Sequence, residues 1–335
     1  MYISEQLSAP DERRLRLSTQ FGVTHLVVDN RKSQIPAVGA GCGPWDAGQL
    51  VGYREWIEGF GLRLDVFALG LGSVLSAAMT DLDLARQKRA VLIDNVRKAG
   101  DAGIGCLKYD TRLAQNGRTG LRPGRGGVRN VGFDYDEFRT GHVGYADSVP
   151  PVDEKAGWDA IEFLIEGLVP AAEAAGVRLA CHPQDPAFSV GGPGAAEHVF
   201  GSVEGIRRFL ALSPSRNHGL TFCQGSVAGM FKDPAKAMVP VIEEFAATGR
   251  IFLVKFRNIR GGYLDFQEVF PDEGDVDLFQ AIKAYQRGGY AGPLCPDHVP
   301  VSELDEGGER FTAFCLGYTR GLLQAAGISA AAPRG

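Results

Sequence analysis

Gly292-Pro293-Leu294-Cys295-Pro296-Asp297-His298-Val299 is a short apolar run that stops at a proline and then presents a carboxylate and an imidazole. Three other apolar runs end in the same manner: Leu179-Ala180-Cys181-His182, Leu220-Thr221-Phe222-Cys223 and Ile251-Phe252-Leu253-Val254-Lys255. Each is too short for a helix and apolar at successive positions, as a parallel strand buried on both faces has to be. Chemically capable residues at the C-terminal tips of several parallel strands are the way a closed βα barrel builds its site.

Outward from these four runs the alternation continues to both ends of the chain. Strands are predicted at residues 2–6, 23–28, 64–69, 104–109, 177–182, 220–223, 251–255 and 293–296, with an amphipathic helical pattern after each. Asp81, Ser202, Asp233 and Asp275 are placed to cap helices, and Gly61, Gly100, Gly176 and Gly288 to end them. Eight βα pairs in series predict an α/β protein with a (β/α)8 TIM barrel rather than an open doubly wound sheet. One domain is expected over residues 1–326, with a disordered tail at 327–335. The segments after strands are long: 30–45, 110–152, 183–201, 224–232 and 256–274. In a barrel these lie on the catalytic face. The longest, 110–152, is a lid-like insertion in which Arg112, Arg118, Arg122, Arg125 and Arg129 offer cations to an anionic substrate, or simply a solvated surface.

Composition narrows the function. The chain has 335 residues, of which 44% are hydrophobic and 22% charged, and a formal net charge of −5. It therefore lacks the basic excess of a nucleic-acid-binding domain. It also lacks an apolar run of membrane-spanning length and a basic–apolar leader pattern at its N-terminus. Six cysteines (42, 106, 181, 223, 295 and 315) are scattered, mostly in predicted strands. That distribution suits reduced thiols and a cytoplasmic location. The expected partner is a small molecule.

At the strand tips, His182 is a metal ligand or an acid–base group. Cys223 is a ligand for a borderline metal or a buried hydrophobe. Asp297 and His298 are adjacent and point different ways, so one can bind a ligand while the other faces substrate. Lys255 is either a desolvated base or Schiff-base nucleophile, or an ammonium paired with a carboxylate such as Asp297. Arg257, two residues on, suits a bidentate hold on a carboxylate.

Taken in order, Cys181-His182-Pro183-Gln184-Asp185-Pro186, Gly219-Leu220-Thr221-Phe222-Cys223-Gln224-Gly225-Ser226, Arg257-Asn258, Gly274-Asp275-Val276-Asp277 and Pro296-Asp297-His298 resemble the mannonate dehydratase family. The resemblance implies a xylose-isomerase-like barrel. It implies a divalent metal, Mn2+ or Fe2+, on His182, Cys223 and Asp297, with His298 as acid–base group. It also implies a sugar-acid substrate converted to a 2-keto-3-deoxy acid, and a homo-oligomer. Substrate contacts are expected from Arg257, Asn258, Asp185 and Arg118, and catalysis from His298 and Lys255. Two departures stand out. Lys255 occupies the position of a further histidine ligand, and Glu306-Gly307-Gly308-Glu309 lacks the family's tyrosine. Dehydration is the leading expectation; isomerisation or epimerisation, Schiff-base chemistry at Lys255, and binding without turnover are the alternatives.

Overall fold

The computed structural model describes residues 1–29, 43–111, 117–141, 154–187 and 199–329. Twelve strands lie among them: β1 (Tyr2–Leu7), β2 (His25–Val28), β3 (Arg63–Ala68), β4 (Cys106–Asp110), β5 (Gly120–Pro123), β6 (Arg129–Asp134), β7 (Arg178–His182), β8 (His218–Cys223), β9 (Ile251–Lys255), β10 (Ile259–Gly262), β11 (Asp265–Glu268) and β12 (Pro293–Cys295). Eight of them close into a barrel in the order β1-β12-β9-β8-β7-β4-β3-β2. Every barrel pairing is parallel. These are the eight strands read from the sequence, with ends moved by no more than two residues. Arg112, Cys42 and the tail beyond residue 329 lie outside the described residues.

The strands are apolar on both sides because each side meets a different core. Val27, Val66, Cys106, Ala180, Phe252, Leu253 and Cys295 form one cluster inside the barrel. Leu107, Leu179, Leu220, Phe222, Val254 and Leu294 point outward and belong to the large cluster shared with the helices. Glycine is required where the wall is tightest. A Cβ on Gly219 of β8 would lie 2.2 Å from the Arg250 carbonyl oxygen.

Helix ends mostly follow the expected residues. Asp81, Ser202 and Asp233 each accept a hydrogen bond from a first-turn amide. The helix Leu278–Arg287 is capped by Asp277 rather than Asp275. Asp275 instead accepts from the Gly261 amide at 2.7 Å. At the four helix ends in question, Gly61 and Gly176 are left-handed as expected, but Gly103 and Gly289 are so in place of Gly100 and Gly288. The helix that includes Gly100 runs on to Asp101.

A second sheet was not legible in the sequence. β10, β11, β6 and β5 form a four-stranded antiparallel sheet, in that order. Phe266 of β11 pairs with Phe133 of β6, and their rings lie 5.7 Å apart. This sheet joins the insertion after β4 to the segment after β9, and its strand β11 ends in Glu268.

Candidate active site

Strand parity decides which side chains meet. Cys106, Ala180, Leu253 and Cys295 face the barrel interior. Two residues further along each strand are Lys108, His182, Lys255 and Asp297, which therefore face inward too. Cys223 is the register partner of Lys255, and Lys255 is also paired with Cys295 of β12. All of the strand-tip candidates thus crowd one end of the barrel. A cavity of about 300 Å³ lies there, with Lys108, Asp110, His182, Asp185, Lys255 and His298 in its lining. That is at the lower end of the roughly 300–1,000 Å³ usual for small-ligand clefts.

Lys255 is an ion-pair partner. Its ammonium donates to Asp297 Oδ2 at 2.7 Å, with both side chains almost fully buried. Burial pulls the lysine down, yet Asp297 leaves it above its ordinary value. The carboxyl of Asp297 is pushed up by burial and held far below the usual range by Lys255, then His298 and Arg257. An ammonium so held matches the ion-paired one of the two readings of Lys255; Schiff-base chemistry would need its neutral, desolvated amine.

His298 sits beside this pair in a left-handed conformation, φ 58°. Such a backbone costs a non-glycine residue roughly 1–3 kcal/mol and persists where its surroundings fix it. Here Glu268 does so. His298 Nδ1 donates to Glu268 Oε2 at 2.6 Å, and Nε2 lies 3.4 Å from Asp297 Oδ2. Glu268 also accepts from Arg257 at 2.8 Å and from Arg118 at 2.6 Å. Asp185 bridges the same two guanidiniums, at 2.9 Å from Arg118 and 3.1 Å from Arg257. Burial raises the Glu268 carboxyl, but His298, Arg257 and Arg118 bring it to about 2. Asp185 is likewise held well below the carboxylate range, by Arg118 and Arg257 against burial.

Two expected substrate contacts are engaged in buried internal hydrogen bonds. The Asn258 side chain is buried, donating to the carbonyls of Pro271 and Val276 and accepting from the Ile259 and Val276 amides. It fixes the turn leaving β9 and does not line the cavity. Arg257 is fully buried and ties Asp185, Glu268 and Ser226 together. Of the described lid arginines, Arg118 alone joins this network. Arg122 pairs with Glu137, and Arg125 with Asp272. In the stretch that lacks the tyrosine, Glu309 pairs with Arg13.

Two residues were missed. Glu268 lay in a segment read as loop; the alternation Asp265-Phe266-Gln267-Glu268 is its only signal. Lys108 sits inside an apolar run, on the parity of Cys106, and its ammonium reaches Gln6 and, at 3.4 Å, Asp29. Among buried polar atoms, Asp297 Oδ1, Asp185 Oδ1 and Arg118 Nη1 have no hydrogen-bond partner among the described residues. Of these three residues Asp185 lines the cavity, and unmet buried groups call for water or a ligand.

The family model for D-mannonate dehydratase (UxuA) matches residues 132–331. The chain belongs to the D-mannonate dehydratase family. As a member it is a carbon–oxygen hydro-lyase. Mannonate dehydratase of Streptococcus uberis is 29% identical over 283 residues, covering 76% of this chain and 78% of the relative. The crystal structure of mannonate dehydratase from Streptococcus suis serotype 2 superposes with a TM-score of 0.80 at 22% identity, covering 100% of this chain and 99% of the other. A xylose isomerase-like TIM barrel protein from Mycobacterium smegmatis in complex with magnesium shares the fold, with a TM-score of 0.58 and 14% identity over 97% of each chain.

Membership in this family suggests a divalent metal, so the donor set has to be tested for fit. Asp297 Oδ2 is held by an ammonium. Cys223 is wholly buried and is the register partner of Lys255, so its thiol faces an ammonium at the same level of the barrel. His182 Nδ1 lies 2.6 Å from the Pro183 carbonyl oxygen, the kind of bond that orients a ligating histidine, so His182 by itself suits a metal. Among the described residues, no group of three or more His, Cys, Asp or Glu side chains is arranged to hold a metal ion. The residues as they stand do not fit the cation.

Proposed function

We propose that the chain dehydrates a sugar acid of the mannonate type. The hydrogen on the carbon next to the carboxylate leaves as a proton, taken up by the imidazole of His182, which lines the cavity. The hydroxyl on the next carbon leaves as water, and the resulting enol relaxes to a 2-keto-3-deoxy acid. His298 is the acid that protonates the departing hydroxyl. Glu268, an anion throughout the neutral range, accepts from Nδ1 and stabilises the ring when the second nitrogen also carries a proton. Lys255 supplies positive charge to the substrate carboxylate, whose negative charge grows as the proton leaves. Asp185 and Arg118, each with a partnerless polar atom, meet substrate hydroxyls; Arg257 holds both residues of the supporting network in place.

The observation that carries this reading is the His298 ring, clamped at 2.6 Å by Glu268 beside the buried Lys255–Asp297 pair. It is tested by incubating the protein with a panel of six-carbon sugar acids and assaying 2-keto-3-deoxy acids. D-Mannonate is expected to be turned over, and His298→Ala to abolish that turnover. Failure to dehydrate any of the panel, or full activity in His298→Ala, rejects it.

The finer expectation of Mn2+ or Fe2+ on His182, Cys223 and Asp297 would set a dication against the Lys255 ammonium that holds Asp297 Oδ2. A cytoplasmic homo-oligomer is part of the same proposal. It is supported by the unpaired, buried Cys106, Cys181, Cys223, Cys295 and Cys315, and by exposed apolar side chains such as Leu304 and Phe314. No helix of the described residues is long and apolar enough to cross a membrane.

A further inference from the structure

We infer that in this chain the Lys255 ammonium has taken the place of the divalent cation, and that the enzyme works on its anionic substrate without a metal.

Four observations on the barrel end lead there. First, Lys255 lies among the expected ligands. It is the direct register partner of Cys223, it follows the same inner parity as His182, and it touches Asp297 at 2.7 Å. Second, its side chain is only 4% exposed, so no open side of the site is left from which it swings into bulk water. A dication entering beside Asp297 would face a fixed positive charge at close range in a poorly solvated setting, where like charges repel strongly. Third, an ammonium carries three donors and no lone pair, so it cannot ligate a metal. Fourth, among the described residues Asp297 alone accepts a hydrogen bond from the Lys255 ammonium, while Lys255 forms part of the cavity lining.

The fourth observation turns the replacement into a function. One donor of the ammonium is held by Asp297, and two remain for a molecule in the cavity. A carboxylate accepts such donors with charge-assisted hydrogen bonds. Lys108, the other lysine in the cavity lining, is paired with Asp29, and the remaining cations are matched as well. Arg118 and Arg257 are matched by Asp185 and Glu268. Asp297 thus fixes the ammonium rather than a metal, and the substrate carboxylate completes its shell.

The claim about activity rests on the dehydration proposed above; the claim about the cation does not, and the two are read separately. The protein is purified without chelator and its metal content measured by plasma mass spectrometry. Its melting temperature is then followed with added Mn2+, Fe2+ or Zn2+ and with EDTA. Expected are a metal content far below one equivalent and a melting temperature unmoved by any of the four additions. Lys255→His restores an uncharged nitrogen donor between Cys223 and Asp297. That variant is expected to take up a metal and to melt at a temperature that rises with Mn2+ and returns with EDTA, as mass action requires of a ligand that binds only the folded state. Stoichiometric metal in the wild-type protein, or a metal-dependent rise in its melting temperature, overturns the inference. So does a folded Lys255→His that gains no metal, since Lys255 would then not be what keeps the cation out. If Lys255→His does not fold, the wild-type measurements alone decide. Turnover that survives EDTA undiminished is expected in the activity arm, and loss of turnover in EDTA that Mn2+ restores overturns the inference as well. Absence of turnover on every sugar acid would instead reject the dehydration proposal while leaving the metal measurements to stand.

Discussion

Replacing Glu268 by glutamine changes one charge at the point where the lid, the barrel and His298 meet. In the folded protein the Glu268 carboxyl titrates at about 2, against 4.5 for an ordinary glutamate. At about 1.4 kcal/mol per pH unit, that difference corresponds to about 3 kcal/mol of folding stability. The figure agrees with the roughly 3–5 kcal/mol lost when one partner of a buried ion pair is removed. The depressed folded-state value sets the sign. The stabilisation is complete above pH 4.5, shrinks as the pH falls, and is gone below about pH 2. Glu268→Gln is therefore expected to lower stability by about 3 kcal/mol at pH 7 and by only about 1 kcal/mol near pH 3, measured by urea denaturation of both proteins at both pH values. The same variant removes the acceptor that fixes His298, so kcat is expected to fall more than KM rises. A difference below about 0.5 kcal/mol at pH 7, or one that does not shrink in acid, would show that Glu268 is not the counter-charge of Arg118, Arg257 and His298.

His298→Asn preserves a side chain that tolerates the left-handed backbone and removes the proton donor; a kcat lower by about 10²–10⁴-fold is expected in steady-state kinetics on a turned-over sugar acid. Asn258→Ala removes two donated and two accepted buried hydrogen bonds, so a loss of about 3 kcal/mol is expected by denaturation, with KM of the folded enzyme unchanged. A raised KM would return Asn258 to the substrate. Gly219→Ala drives a Cβ against the Arg250 carbonyl; a loss of about 1–3 kcal/mol in the same measurement is expected, and none would mean that the β8 wall yields.

The barrel strands are legible in the sequence because each is held by two cores at once, which imprints a run of apolar residues with no helical period. Parity then makes the strand-tip residues legible: Lys255, His182 and Asp297 are each two residues beyond a small or apolar residue that faces the barrel interior. The helix caps show the limit of local reading. Asp275 and Asp277 are both plausible caps by spacing, and only the turn that brings the Gly261 amide to Asp275 decides between them. Glu268 was hidden for a different reason. Its strand is four residues long, and the partners that give it meaning, Arg118 and His298, are 150 and 30 residues away. Lys255 was read with both of its possible roles, and the choice depended on a distance to Asp297 that no sequence pattern carries.

The antiparallel sheet over the barrel mouth also sets the order in which the protein is finished. Its β5 and β6 emerge from the ribosome early, yet their neighbours β10 and β11 are made some 130 residues later, and loop closure over such a span comes after local structure has formed. Until β11 is synthesised, Arg118 has no Glu268 to meet, and His298 has not yet been made. The barrel wall from β1 to β8 can therefore assemble around a mouth that is still chemically blank. Acid–base competence arrives all at once, with the last eighth of the chain, and a product truncated before residue 298 would carry most of the fold and none of the reaction.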